Sequence, residues 1–270
     1  MDWDGVLDNA SRWAREVGRL QVSHMGEAGL GIEHKSSDFD LVTAVDKFCE
    51  ARLIEWIKRA YPGHAILSEE AGDDGGHSDY RWVIDPIDGT TNYVHGFPIF
   101  GVSIALQYQG RSMVGVVYFP VLDQFYWAIR GRGAHRGDRL LKVSATAELA
   151  RALLATGFPY DKATSAANNL DYFNRLVPQI GGIRRTGSAA FDLCSVAAGQ
   201  LDGFWELKIK PWDMAAAGLM VEEAGGKISI LPEHEPISLV AGNPRVCDLI
   251  LAEIAAADRT KTATAGGGWS

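Results

Sequence analysis

Three β-rich runs, 99–107, 113–119 and 124–129, follow one another with only short glycine-bearing turns between them. Each is dominated by Val, Ile, Tyr and Phe, side chains that suit a pleated, half-buried surface. Short turns of this kind join antiparallel neighbours, so this block predicts a meander. Further strands are expected at 140–143 and 152–157. Downstream the texture changes. The spacing predicts helices over 164–177, 188–198, 213–224 and 244–256, interleaved with strands at 202–207, 227–231 and 238–241. The chain therefore reads as an antiparallel α+β half, residues 1–145, joined without a hinge to an α/β half, residues 146–270, in one compact unit.

Upstream of the meander, Trp3, Val6, Leu7, Ala10, Trp13, Ala14, Val17 and Leu20 recur at helical spacing and predict a first helix with one buried face. A second helix is expected over 43–61, stopped by Pro62-Gly63. A short strand, 64–67, runs into Ser68-Glu69-Glu70, and the Gly-, Ser- and Asp-rich stretch 71–79 reads as a surface loop. The run 81–84 is a strand expected to stop at Asp85-Pro86, because proline cannot donate to a ladder.

Composition excludes several classes of function. With 47% apolar and 22% charged residues the chain is globular, neither disordered nor coiled coil. Acids outnumber bases 34 to 26, a formal charge of -8, so the overall cationic footprint of a nucleic-acid binder is missing and nucleic acid is not an expected partner. An acidic chain suits cations instead. Cys49, Cys194 and Cys247 are odd in number and far apart, which argues against a disulfide framework or a CxxC metal site and for a reducing compartment. The acidic, amphipathic N-terminus is unlike a signal peptide, and no apolar run reaches the roughly 18 residues of a membrane helix. The tail TKTATAGGGWS is expected to fray. These features predict a cytoplasmic protein with no membrane partner.

The chemistry concentrates in Trp82-Val-Ile-Asp85-Pro-Ile-Asp88-Gly-Thr90-Thr-Asn92. Two aspartates three residues apart follow a buried strand, and Gly-Thr-Thr then opens a helix or turn. Strand ends and helix starts bring fixed side chains next to free backbone N–H groups. Hard divalent cations prefer carboxylate and carbonyl oxygens, and Mg²⁺ leaves room for phosphate oxygens and water. On this basis Asp85 can bridge two ions, Asp88 can hold the second, and the Gly89 and Thr90 amides can take a phosphate. Taken singly each feature has a bland reading. Asp88-Gly89 is a turn signal, Glu69-Glu70 a solvated loop start, Asp213 a helix N-cap, and Asp46 a first-turn acid facing a helix dipole. The seven histidines show no metal-ligand spacing.

Taken together, five blocks resemble the inositol monophosphatase family, the Mg²⁺-dependent, lithium-sensitive phosphatases. They are Asp40-Leu-Val-Thr43-Ala-Val-Asp46, Ser68-Glu69-Glu70, Asp85-Pro-Ile-Asp-Gly-Thr-Thr-Asn92, Gly187-Ser-Ala-Ala190 and Lys210-Pro-Trp-Asp213-Met-Ala-Ala. The resemblance implies the layered αβαβα sandwich shared with fructose-1,6-bisphosphatases, two to three Mg²⁺ ions, and a homodimer. It implies that Glu69, Asp85 and the Ile87 carbonyl hold a first ion, that Asp85, Asp88 and Asp213 hold a second, and that Glu69 helps hold a third through waters. Asp46 and Thr90 match the pair that orients and deprotonates the attacking water. Glu70 would support its neighbour, and Lys35 would stand on a loop over the site.

For the alcohol, the resemblance implies a grip by Asp88, Asp213, the Ala189 amide and Glu206, and Arg184-Arg185 could meet a second phosphate or a subunit partner. Lys-Pro-Trp-Asp looks like the bacterial and archaeal relatives, which include inositol phosphatases, fructose-1,6-bisphosphatases, NADP phosphatases and histidinol phosphatases. Glu206 and the small Ala189 favour a polyol monophosphate, so the expected activity is hydrolysis of myo-inositol monophosphate by an activated water, without a covalent intermediate. A nucleotide 3'-phosphatase is a further alternative of the same class. The non-enzymatic alternative is a regulatory protein at RNA machinery, hinted at only by Arg130, Arg132, Arg136 and Arg139.

Overall fold

The computed structural model describes residues 1–26, 31–35, 41–231 and 237–266. The chain opens with α1 (Trp3–His24), capped by the Asp2 side chain, and a two-stranded ribbon of β1 (Glu33–His34) and β2 (Leu41–Val42). Helix α2 (Ala44–Ala60) leads to β3 (Ala65–Ser68), β4 (Gly72–Asp73) and β5 (Tyr80–Asp88). One short helix, α3 (Thr90–Val94), precedes the meander β6 (Gly101–Tyr108), β7 (Arg111–Phe119) and β8 (Gln124–Ile129), which β9 (Ala134–Arg136) and β10 (Arg139–Leu140) extend. These strands form an eight-stranded sheet in the order β10-β9-β8-β7-β6-β5-β3-β4, antiparallel except where β3 meets β5.

The second sheet lies wholly later in the chain. It is built from β11 (Leu153–Thr156), β12 (Gly182–Arg184), β13 (Gly203–Ile209), β14 (Lys227–Ile230) and β15 (Ile237–Gly242), in the order β12-β11-β13-β15-β14. Its helices are α4 (Leu170–Leu176), α5 (Ala189–Ala197), α6 (Pro211–Glu223) and α7 (Pro244–Gly266).

The period-two alternation of strands explains the layering. In the large sheet Ile84, Ile104 and Val116 face α1 and α2, packing on Trp13, Val17 and Leu53. Their neighbours Val83, Ala105 and Val117 face the other way, onto Leu193 of α5 and Ala216 and Met220 of α6. The small sheet does the same, with Phe204 and Ala241 turned toward α5 and α6 and Trp205 and Val240 toward α4 and α7. Helix, sheet, helix, sheet, helix is the αβαβα sandwich expected above. Both sheets are covered on both faces, which is why their strands read as near-continuous apolar runs. Among the described residues no helix is long and apolar enough to cross a membrane.

Several expectations need correction. The strand expected to stop at Asp85-Pro86 continues to Asp88. Beyond Ile84 it has lost its β3 neighbour, and its pairing with β6 jumps from Asp85↔Ser103 to Asp88↔Gly101. Pro86 sits in that bulge, where its missing N–H leaves no ladder bond unmade. The helix expected over 164–177 begins only at Leu170, and the last helix runs past residue 256 to Gly266, into the stretch expected to fray. The strand expected at 140–143 is instead β10, folded back on β9.

Candidate active site

Strand β5 ends where α3 begins, and this junction forms the floor of a cleft of about 700 Å³. The left-handed backbone of Gly89 (φ 90°) makes the turn, and a Cβ there would stand 3.0 Å from the Ile99 carbonyl oxygen. The bulge before it brings Asp85 and Asp88 to the same cleft, and the Ile87 N–H donates to Asp85 Oδ1 at 2.9 Å. Asp88 also accepts the Ser188 hydroxyl, which caps α5 and lies a hundred residues away in sequence.

Two further acids are placed by helix capping. Asp46 stands three residues after Thr43 in a capping box at the start of α2, its Oδ2 accepting the Thr43 N–H at 2.9 Å. Its Oδ1 accepts the Thr90 hydroxyl at 2.9 Å. Asp213 holds the matching position in α6, where its Oδ2 accepts the Lys210 N–H at 2.7 Å. It is therefore not the N-cap of the bland reading. One ligand oxygen each from Asp85, Asp88 and Asp213 lie within 4.8 Å of one another.

Glu69 follows β3 and lines the same cleft. The Lys35 ammonium donates to Glu69 Oε1 at 2.8 Å and also pairs with Glu70, whose own N–H donates to Glu50 Oε1 at 2.8 Å. Lys35 thus stands at the cleft between the two glutamates. Asp40, at the start of the first matching block, lies outside the described residues.

The electrostatics follow from burying acids together. Burial pushes Asp88, Glu69 and Asp213 up to about 7, with the Asp213 shift opposed by its hydrogen bond from Lys210. Asp85 is raised well above the ordinary carboxylate range, by burial first and then by the charges of Glu69, Asp88 and Asp213. Asp46 is raised by burial, against the pull of its hydrogen bonds from Thr43 and Thr90. Lys35 feels an opposing burial effect, yet the attraction of Glu69 and Glu70 raises it overall. A cluster of oxygen donors held this far above the ordinary carboxylate range is short of positive charge.

These blocks carry a family signature along the whole chain. A sequence profile of the inositol monophosphatase family matches residues 2–261. The chain belongs to the inositol monophosphatase family. It is 43% identical over 258 residues to the Nus factor SuhB of Pseudomonas aeruginosa, covering 92% of this chain and 95% of that protein. Among solved structures it is similar to the inositol monophosphatase from Anabaena (Nostoc) sp. PCC 7120, with a TM-score of 0.85 and 39% identity over 94% of this chain and 97% of that one. It is likewise similar to the extragenic suppressor protein suhB from Bartonella henselae, with a TM-score of 0.86 and 37% identity over 92% of this chain and 98% of that one.

Within this family member, the cleft also holds Ala189, the first residue of α5, whose backbone N–H lies against Asp88, and Glu206 on β13. Glu206 is raised well above its ordinary range by burial, then by Asp213 and Asp192. The backbone of Gly157 presses on it so closely that a Cβ there would collide with the Glu206 carboxylate. Arg184 does not join the site, because it lies outside the cleft and donates to the carbonyl of Ile183 at 2.9 Å. Its neighbour Arg185 lines the cleft instead. The change of one residue follows from the chain leaving β12, where successive side chains point to opposite sides.

Sequence reasoning passed over Ser188 as a partner of Asp88, and it passed over Gln21. Gln21 is fully buried on α1, its Nε2 donates to the Pro86 carbonyl at 2.7 Å, and its backbone carbonyl accepts the Tyr93 hydroxyl at 3.0 Å. It holds the bulge and α3 from behind. The only signal was a polar residue on an otherwise apolar helix face.

Proposed function

We propose that this protein hydrolyses a phosphate monoester in a Mg²⁺-dependent reaction, with myo-inositol monophosphate as substrate. The observation that carries this reading is the convergence of Asp85, Asp88 and Asp213 within 4.8 Å beside the Thr90–Asp46 hydrogen bond. In this reading Glu69, Asp85 and the Ile87 carbonyl hold one ion, Asp85, Asp88 and Asp213 a second, and Glu69 contributes to a third. The donors are all oxygen, which suits Mg²⁺, and their raised pKa values mark a repulsion that a divalent cation relieves. Bound Mg²⁺ supplies charge neutralisation for the phosphoryl oxygens and lowers the pKa of a water.

The chain's own residues do the rest. The Thr90 hydroxyl has one proton, shared between Asp46 Oδ1 at 2.9 Å and the Ile87 carbonyl at 3.0 Å. Its oxygen is thereby left to accept a proton-bearing water in the cleft. Asp46, made more basic by burial, takes up the proton that Thr90 passes on. Gly89 and Thr90 face the phosphate, while Asp88, Asp213, the Ala189 amide and Glu206 face the hydroxyls of the alcohol. Glu70 supports the Lys35–Glu69 pair. No covalent intermediate is required.

A phosphate-release panel tests this. Inositol 1-phosphate should be the best substrate among fructose 1,6-bisphosphate, histidinol phosphate, NADP and adenosine bisphosphate, with Mg²⁺ required and lithium inhibitory. A profile led by fructose 1,6-bisphosphate would move the substrate to a bisphosphate, whose second phosphate Arg185 would have to meet.

The name Nus factor carried by a relative 43% identical favours a second reading, a regulatory role at RNA machinery, which does not exclude catalysis. The basic run gives it little support here. Arg130 pairs with Glu222 and Arg132 with Asp4, each at 2.7 Å. A homodimer in the cytoplasm belongs to the same proposal. The cytoplasmic part is supported by three buried cysteines that form no disulfide, and native mass measurement would test the dimer.

A further inference from the structure

Lys208 has a backbone that bulky residues avoid. Its φ is 60°, in the left-handed region, and it lies inside β13, where the pairing with β15 shifts between Glu206 and Ile209. Such a conformation persists only where the surroundings over-determine it, and it clusters at functional positions. The surroundings here are specific. The Lys208 N–H donates to the buried Ser238 hydroxyl at 3.0 Å. Its ammonium reaches out of the sheet to Asp161 Oδ2 at 2.6 Å and Ser165 Oγ at 2.7 Å.

Both partners belong to the segment that leaves β11, and residues 157–162 of it line the cleft beside Glu206. A second anchor holds the near end of that segment. Asn169 is buried, and its Nδ2 donates to the Gly157 carbonyl at 2.6 Å while its Oδ1 accepts the Trp205 indole N–H at 2.7 Å. The wall facing the alcohol end is therefore tied to β13 at both ends, and the Lys208 tie is the outer one.

We propose that Lys208 is a positioning residue that sets which alcohol the cleft accepts, by fixing the 158–165 wall against the strand that carries Glu206. This rests on the reading above that Glu206 faces the alcohol. The ion pair alone would be weak, since Asp161 is half exposed. Its effect comes from what it holds. In the reading above the wall adjoins Glu206 and supplies no metal ligand, so loosening it changes alcohol recognition and leaves Glu69, Asp85 and Asp88 in place.

The test compares inositol 1-phosphate with β-glycerophosphate, a small acyclic alcohol ester, in phosphate-release kinetics on the Mg²⁺-loaded protein. Lys208→Met should raise KM for inositol 1-phosphate about 3- to 10-fold, the size of one ordinary net hydrogen bond. KM for β-glycerophosphate, kcat for both and the Mg²⁺ half-saturation should hold. Lys208→Arg should restore the KM ratio. The double variant Asp161→Ala, Ser165→Ala removes both acceptors of the ammonium without touching the strained backbone, and it should reproduce the Met phenotype. An unchanged KM ratio in both Lys208→Met and this double variant would overturn the proposal, as would a parallel rise for the two esters. Glu206→Gln tests the underlying reading separately: a ratio unmoved in that variant refutes the Glu206 assignment whatever Lys208 does.

Discussion

At Asp88 three demands meet on one carboxylate. It ends β5, accepts the Ser188 hydroxyl that caps α5, and shares a space with Asp85 and Asp213. Replacing it with Asn keeps the shape and the hydrogen-bond acceptor but removes one charge. Asp88→Asn should therefore lower turnover by more than the roughly 10- to 100-fold typical of losing a supporting partner of a metal ligand. Circular dichroism should show the fold unchanged. Metal-free, the variant should melt higher than the parent at pH 8, because a buried like charge has gone. Thr90 gives a second test. Thr90→Val cannot donate to Asp46 and should lose turnover with unchanged Mg²⁺ binding by calorimetry, whereas Thr90→Ser should keep a measurable share of activity.

Among the elements, the bulge in β5 does most to shape the site, and α1 holds it. Gln21→Leu would leave the Pro86 carbonyl buried and unpaired, at a cost of about 1–3 kcal/mol, visible as a lower thermal midpoint. The Ile87 carbonyl would also lose its fixed direction, so the Mg²⁺ half-saturation should rise about tenfold. At this scale the sequence was legible wherever a local rule governed. Asp46 and Asp213 both sit three residues into helices, and the starts expected at 43 and 213 lie within two residues of Ala44 and Pro211. The meander was legible from its β-branched runs, and β8 spans the expected 124–129. The bulge was not, because proline reads locally as a stop. Whether its missing N–H matters depends on which strand lies alongside, and β3 has already ended there.

For the whole molecule, burying the acids makes stability depend on pH and metal together. Glu69, Asp88 and Asp213 have folded-state pKa values of about 7 because of burial. Carboxyls in an unfolded chain titrate near about 4. Between those values the native state keeps protons that the unfolded chain has released, so metal-free stability falls as pH rises through that window. His64, lowered by burial, pulls the other way, but it is one group against these three and the further raised carboxyls of Asp46, Asp85 and Glu206. Differential scanning calorimetry in chelator should give a lower midpoint at pH 8 than at pH 5. Saturating Mg²⁺ should raise the pH 8 midpoint more than the pH 5 one, since protons compete with the cation for the same oxygens.

The sequence by itself determined the types of element, the five blocks of site residues and the charge that collects in them. Of the acidic excess, Asp46, Glu69, Glu70, Asp85, Asp88 and Asp213 account for six, and without them 28 acids face 26 bases. Those features are local: periodicity, capping and turn chemistry act over a few residues. Tertiary structure alone decided that Ser188 meets Asp88 across a hundred residues, that Arg185 and not Arg184 enters the cleft, and that Lys208 ties the wall beside Glu206. The first depends on how the two sheets stack across α5, the other two on how β12, β11 and β13 lie side by side in the small sheet, and no short-range pattern encodes the distance between elements that meet only after folding.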